Sequence, residues 1–437
     1  MELKDLQGAP LGPRMDDPFP FPRMIATGNG GSIIVSAEID RTIARVAQVL
    51  KANSPKLALS HTDEEWRMKV RSAFGPVLAR IDLDGEASHS AALILDGVNE
   101  ALNVDQLRDV EYSVGCTLFS NRDVPQFAIG PVTFEPRLQW LERRVQENHI
   151  SPVSSRRIVR TWDGRQPRPR KSSIDSAREQ DVLRVVGGCP YVCSISTTAL
   201  APEFGREKAM VAARLALAAI SLAWEDPSDA LRGLNLAYDG LSHRQRVLTF
   251  GEELYLAGFR HSRLPHGPYI PLDEWSKLLS AFSNSFSCVG EVLEHVLSAT
   301  GNGPRPRIVE SLALALWWFH EGCRSESPMF SVVQFAACLD ALSGGKKEAG
   351  ILKLVRARLG IAESKVINKD GTTVKQLVSR IYGEGRSRTV HGTNKKLAHD
   401  WSTAAFNAQQ LARACLIACL EQTGSDKSIK EPVMLQG

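Results

Sequence analysis

Near the C-terminus the chain reads Ile381-Tyr382-Gly383-Glu384-Gly385-Arg386-Ser387-Arg388-Thr389-Val390-His391-Gly392. Glycines and basic residues interrupt otherwise helical sequence here, between a predicted helix over residues 374–382 and a long one over 402–422. Working outward, helical patterns also cover 308–323, 330–342 and 349–359. The first of these is apolar on most sides and carries Trp317, Trp318 and Phe319, as a helix inside a bundle does. Five helices joined by short polar loops predict a compact all-α bundle over 301–425, with a tail at 426–437.

Arg386 and His391 are the residues of this stretch suited to chemistry. RNA can be cut without a metal if its own 2′-hydroxyl attacks the adjacent phosphate. That step needs a proton shuttle and a clamp on the charge developing at phosphorus. Imidazole, with an ordinary pKa of about 6.5, moves protons at neutral pH, and a guanidinium offers a planar fork matched to phosphate oxygens. Ser387 suits holding either the imidazole or a phosphate oxygen, and Arg388 suits a flanking phosphate. The plainer alternative is a basic loop that caps a helix, its histidine bonded to a backbone carbonyl. Spacing alone does not choose, because Arg144 and His149 stand equally far apart. Only the Arg386 copy has a polar residue after its arginine, a glycine after its histidine and an apolar helix on either side.

The stretch resembles the Arg-x4-6-His motif of HEPN nucleases, and in particular the Tyr-x-x-x-Arg-Ser-x-x-Val-His-Gly form of the Apea-like branch. Upstream, Phe335-Ala336-Ala337-Cys338-Leu339-Asp340-Ala341-Leu342 is similar to that family's second helix, with Asp340 where the family usually has Glu. The resemblance covers the last quarter to third of the chain. It implies a helical, metal-independent endoribonuclease with Arg386 and His391 as catalytic residues, supported by Ser387, Arg388, Tyr382 and Asp340. Tyr382 is expected to pack beneath the motif. The resemblance further implies a homodimer or higher homo-oligomer in which two motifs share one cleft, RNA as substrate, no cofactor, and a role as a toxin or antiviral defence effector. The other class it leaves open is a non-catalytic HEPN scaffold that binds RNA, nucleotide or a partner protein.

The rest of the chain points to an α+β protein overall. With 437 residues it is too long for one ordinary core. A mixed α/β region at 1–150, suited to sensing or regulation, is expected to lead through a basic linker at 151–180 into a second mixed region at 181–300. Glycines 28, 30 and 31 read as a turn into a strand at 32–36, followed by a helix over 38–52. No strand is evident before them and no Gly-Lys-Ser/Thr follows, so a phosphate loop is not indicated. Strands are expected at 182–186, 191–196, 231–237 and 247–250, and a long helix at 201–224.

A net charge of +4 does not by itself indicate nucleic acid. Its distribution says more: Arg156, Arg157, Arg160, Arg168, Arg170 and Lys171 crowd one Pro- and Ser-containing segment. That segment reads either as an exposed connection that touches RNA phosphates or as a solvated linker or edge-protecting basic strand. Eight cysteines spread along the chain do not form a disulfide framework. Cys189 and Cys193 lack the second ligand pair of a zinc site, and Cys415 and Cys419 lie on an apolar helical face as buried thiols do. The opening residues lack a secretory pattern and no apolar run is long enough for a bilayer, so a cytoplasmic protein with no membrane partner is expected.

Overall fold

The computed structural model describes residues 23–82, 85–104, 107–166, 168–169, 171–241, 249–251, 254–256, 264–367 and 371–437. They form an α+β protein that divides into two compact units. One comprises the described part of Met1–Val110 with Thr197–Lys208 and Ser298–Gly301; the other comprises Glu111–Ser196, Ala209–Leu297 and Asn302–Gly437. This division differs from the expected one, whose boundaries lay at 150, 180 and 300.

In the first unit β1 (Arg23–Ala26) and β2 (Ser32–Val35) form an antiparallel hairpin with Ala26 opposite Ser32. Asn29 closes its turn by accepting the Gly31 N–H at 3.1 Å. The glycines therefore make a turn as expected, but one that joins two strands. Helix α1 (Ala37–Ala52) starts where the Ser36 hydroxyl accepts the Ile39 N–H, and α2 (Pro55–Ser60) follows. Helix α3 (Asp63–Leu78) starts on a reciprocal cap between Thr62 and Glu65, and α4 (Ala87–Val104) completes the set. Ile25, Val35, Ile43, Trp66, Val70, Phe74 and Val98 make the core they share. Glu65 also accepts the N–H groups of Glu203 at 2.6 Å and Phe204 at 3.1 Å, donors that the helix beginning at Pro202 leaves unpaired.

In the second unit β3 (Val110–Cys116), β4 (Phe127–Ile129), β5 (Val132–Pro136) and β6 (Tyr191–Thr197) form a sheet in the order β3-β6-β5-β4. Strand β5 runs antiparallel to β4 and to β6. Alternation along β6 splits its side chains between two cores. Val192 meets Trp140, Leu141, Ile158 and Val186 from α5 (Arg137–Gln146), α6 (Pro152–Trp162) and α7 (Ser173–Val186). Tyr191, Cys193 and Ile195 enter a much larger core on the other face.

Helices α8 (Pro202–Ser221) and α9 (Pro227–Gly233) follow, then the short antiparallel pair β7 (Thr249–Gly251) and β8 (Leu254–Leu256). The C-terminal helices are α10 (Leu272–Ala281), α11 (Ser283–Leu297), α12 (Pro306–Arg324), α13 (Pro328–Leu342) and α14 (Lys347–Leu359). After them come α15 (Val374–Ser379), α16 (Arg388–Val390) and the long α17 (Ser402–Ser425). Phe134 and Ile195 of the sheet share one continuous core with Val289, Leu312, Phe335 and Leu416 of these helices. The helices from 301 onward thus pack into a core they do not own alone. No described helix is long and apolar enough to cross a membrane.

Three sequence expectations need correction. Residues 182–186 are the last turns of α7, not a strand: Ser172 caps that helix and Gly187, at φ 57°, ends it. The 231–237 stretch divides between α9, capped by Asp226 and opened by Pro227, and a single bridge from Leu236 to Cys116. The segment 151–180, expected as a connection, is largely helical, holding α6 and the first half of α7 with Ile158 buried, while Arg156, Arg160, Arg168 and Lys171 stay exposed. In each case a cap and a Pro or Gly decide what a short apolar run leaves ambiguous. Of the strand expected at 247–250, residues 247–248 lie outside the described residues.

Candidate active site

Helix α15 begins on a reciprocal cap between Thr373 and Gln376 and runs straight into a π-helical stretch, Arg380–Ser387, where the Arg388 N–H reaches back to the Gly383 carbonyl. Such widened turns are rare and often occur at functional sites. The stretch lies directly on α13: a Cβ on Gly385 would stand 2.4 Å from Val332 Cγ1. Helix α16 continues it for one turn, and Gly392, at φ +70°, lets the chain leave after His391.

This mounting fixes Arg386. Its Nη1 donates to the Tyr382 hydroxyl at 2.9 Å, its guanidinium carbon lies 5.0 Å from the centre of the Tyr382 ring, and Nη2 lies 3.6 Å from Asp340 Oδ2. Tyr382 is buried, and burial together with the Asp340 charge pushes its phenol pKa up, against Arg386. Asp340 is held in turn, accepting the Lys347 N–H at 3.0 Å. A 3.6 Å approach is longer than a charge-assisted hydrogen bond, so Asp340 orients the fork without occupying it fully. A third of the Arg386 side chain, 33%, stays exposed. Of the residues singled out, Arg386, Tyr382 and Asp340 are therefore brought together.

His391 follows differently. It caps α16, its N–H donates to the Ser387 carbonyl at 3.0 Å, and its exposed ring has no hydrogen-bond partner among the described residues. Ser387 is half-buried and Arg388 exposed; the Arg388 carbonyl receives the N–H groups of Thr393 at 2.8 Å and Asn394 at 3.1 Å, which shapes the turn beyond.

The second Arg/His pair of equal spacing is tied up. Arg144 is paired with Glu111, donates to Glu147 at 2.9 Å and lies 3.3 Å from His149 Nδ1. Its neighbour Arg143 grips the fully buried Glu135 at 2.6 Å. Those carboxylates neutralise the guanidinium groups that an incoming phosphate would need.

The basic segment falls on α6 and the residues after it. Arg156, Arg160, Arg168 and Lys171 are exposed, whereas Arg157 is bound to Glu179 at 2.8 Å and to the Arg168 carbonyl at 2.7 Å. Arg170 lies outside the described residues. Neither a family model, nor a curated protein, nor a solved structure matches the chain. All eight cysteines are buried and unpaired; burial pushes the Cys189 thiol up to about 11, opposed mainly by Arg137. His320, also buried, is 2.9 Å from Glu321, and burial lowers its pKa, which suits a packing role within α12.

Sequence reasoning named Tyr382 and Asp340 from the resemblance alone; the fold shows that Asp340 reaches the guanidinium from α13, whereas Tyr382 reaches it from the same stretch.

Proposed function

We propose that the C-terminal helices form a HEPN-type domain and that the protein is a metal-independent endoribonuclease. The observation that supports this reading is a guanidinium held by Tyr382 and Asp340, with an exposed imidazole five residues on at the end of α16. Arg386 binds a non-bridging oxygen of the scissile phosphate. His391 takes the proton of the neighbouring 2′-hydroxyl, whose oxygen attacks phosphorus. The 5′-oxygen leaves and takes a proton from the His391 of a second copy. Arg156, Arg160, Arg168 and Lys171 bind further phosphates. Such an activity suits a toxin or antiviral defence effector in the cytoplasm.

The test is incubation of purified full-length protein with total cellular RNA, beside His391→Ala. Cleavage should appear only with the parent and survive excess EDTA. Complete loss in EDTA, restored by magnesium, would sink the mechanism.

The reading also requires two motifs at one cleft, hence a dimer. Apolar side chains beside the motif support this: Val390 is 62% exposed and Leu397 71%. Light scattering should give at least twice the chain mass at working concentration. A monomer that cleaves at full rate when dilute contradicts the shared site.

A further inference from the structure

Between α9, the junction of α12 with α13, and the first turns of α17 lies a cavity of about 1140 Å³, lined wholly by residues of the second unit. It is large enough for a small organic ligand. One wall is fixed by a close approach: a Cβ on Gly233 would stand 2.4 Å from the His266 carbonyl oxygen, so residues 266–267 lie directly on the end of α9. Trp224, Phe335 and Phe406 give the lining its aromatic surface, and Phe406 is 55% exposed.

Among the charged lining residues Glu225, Asp226, Asp229 and Glu326 stand against Arg232 and Arg324. Both guanidinium groups are engaged. Arg232 lies 3.2 Å from Asp229, and Arg324 donates to the Leu231 carbonyl at 2.9 Å and to Asn235 Oδ1 at 3.0 Å, with Asp239 at 3.3 Å. Glu225 and Asp226, both exposed, form no ion pair among the described residues.

Gln409 of α17 adds an acceptor to the same wall. It is only 4% exposed, and its Nε2 donates to two lining residues, Asp226 Oδ1 at 3.1 Å and Ser228 Oγ at 2.7 Å. Its Oε1 receives no hydrogen bond among the described residues. Asp226 Oδ1 also accepts the N–H groups of Ser228 at 3.0 Å and Asp229 at 3.2 Å, whereas Oδ2 receives none among the described residues. A buried amide oxygen without a donor is costly, so this wall suits a ligand that donates hydrogen bonds. The carboxylates beside it select one that is also positively charged.

We propose that the cavity binds an organic polyamine, with ammonium groups on Asp226, Glu225 and the Gln409 carbonyl and the methylene chain against Trp224 and Phe406. None of these residues belongs to the site of Arg386 and His391, so binding here stands or falls apart from RNA cleavage.

Full-length protein freed of nucleic acid should be titrated calorimetrically with spermidine, at ionic strength held constant with sodium chloride. Asp226→Asn should weaken binding about tenfold or more, because asparagine still caps α9 but carries no charge. Glu225→Gln should weaken it in the same direction. Glu225 is exposed just before α9, so this variant decides alone if Asp226→Asn does not fold. Glu274→Gln, an exposed residue of α10 that does not line the cavity, should bind as the parent does. Failure of the parent to bind spermidine overturns the proposal. So does parental affinity in the folded cavity variants, or an equal loss in Glu274→Gln, which would mark general association with surface charge.

Discussion

Alanine in place of His391 or of Arg386 is expected to lower RNA cleavage by about 100-fold or more, with little change in melting. The two substitutions remove different things. His391 lies exposed at a helix end with no ring partner, so its loss should cost the proton transfer and almost no stability. Arg386 is bonded to Tyr382 and lies near Asp340, but it is one-third exposed, and such pairs contribute only about 0–1 kcal/mol. Products of the parent should end in a 2′,3′-cyclic phosphate, or its opened form, and a 5′-hydroxyl. One deoxy nucleotide on the 5′ side of a cut should abolish cutting there, since the attacking oxygen is gone. A deoxy substrate cut at the normal rate, or a fully active His391→Ala, would remove the nuclease reading and leave a binding scaffold in its place.

The second large effect concerns a residue that touches no substrate. Gly385→Val should destabilise the protein by roughly 1–3 kcal/mol and cost activity beyond that loss of stability. A side chain at this position meets Val332 Cγ1 of α13 at 2.4 Å, so either Val332 or the turn that carries Arg386 must shift. Relief by movement of the turn would shift the guanidinium relative to Asp340 on α13. Gly383→Ala is the control, because a Cβ there has nothing nearer than Ser379 Oγ at 3.9 Å; its melting and activity should match the parent. Differential scanning calorimetry with single-turnover cleavage separates the two effects. Parental activity in folded Gly385→Val would mean that the seat of the motif on α13 does not matter.

Gly385 also shows where sequence reading stops. As a letter it is one of two glycines before an arginine; its necessity comes from Val332 on another helix. The two Arg/His pairs make the same point. Local context preferred Arg386 over Arg144, and packing supplies the reason: Glu111 and Glu147 reach Arg144 from β3 and from the end of α5, whereas one carboxylate stands off from Arg386.

By itself the sequence determined the features that arise within a few residues: the turn at Asn29, a strand over 191–196, the apolar helices from 308 onward, and the place of the motif between two helices. Caps, turn residues and a helical apolar period act locally, so they are legible without the fold. Only tertiary structure decided that 182–186 is helix, that sheet and C-terminal helices share one core, and that Arg137 lies over the ring of Trp162. Each of these depends on which distant surface a segment meets. A short apolar run or a lone arginine is compatible with several such surfaces, and the free energy that selects one comes from burial and from pairing across the fold.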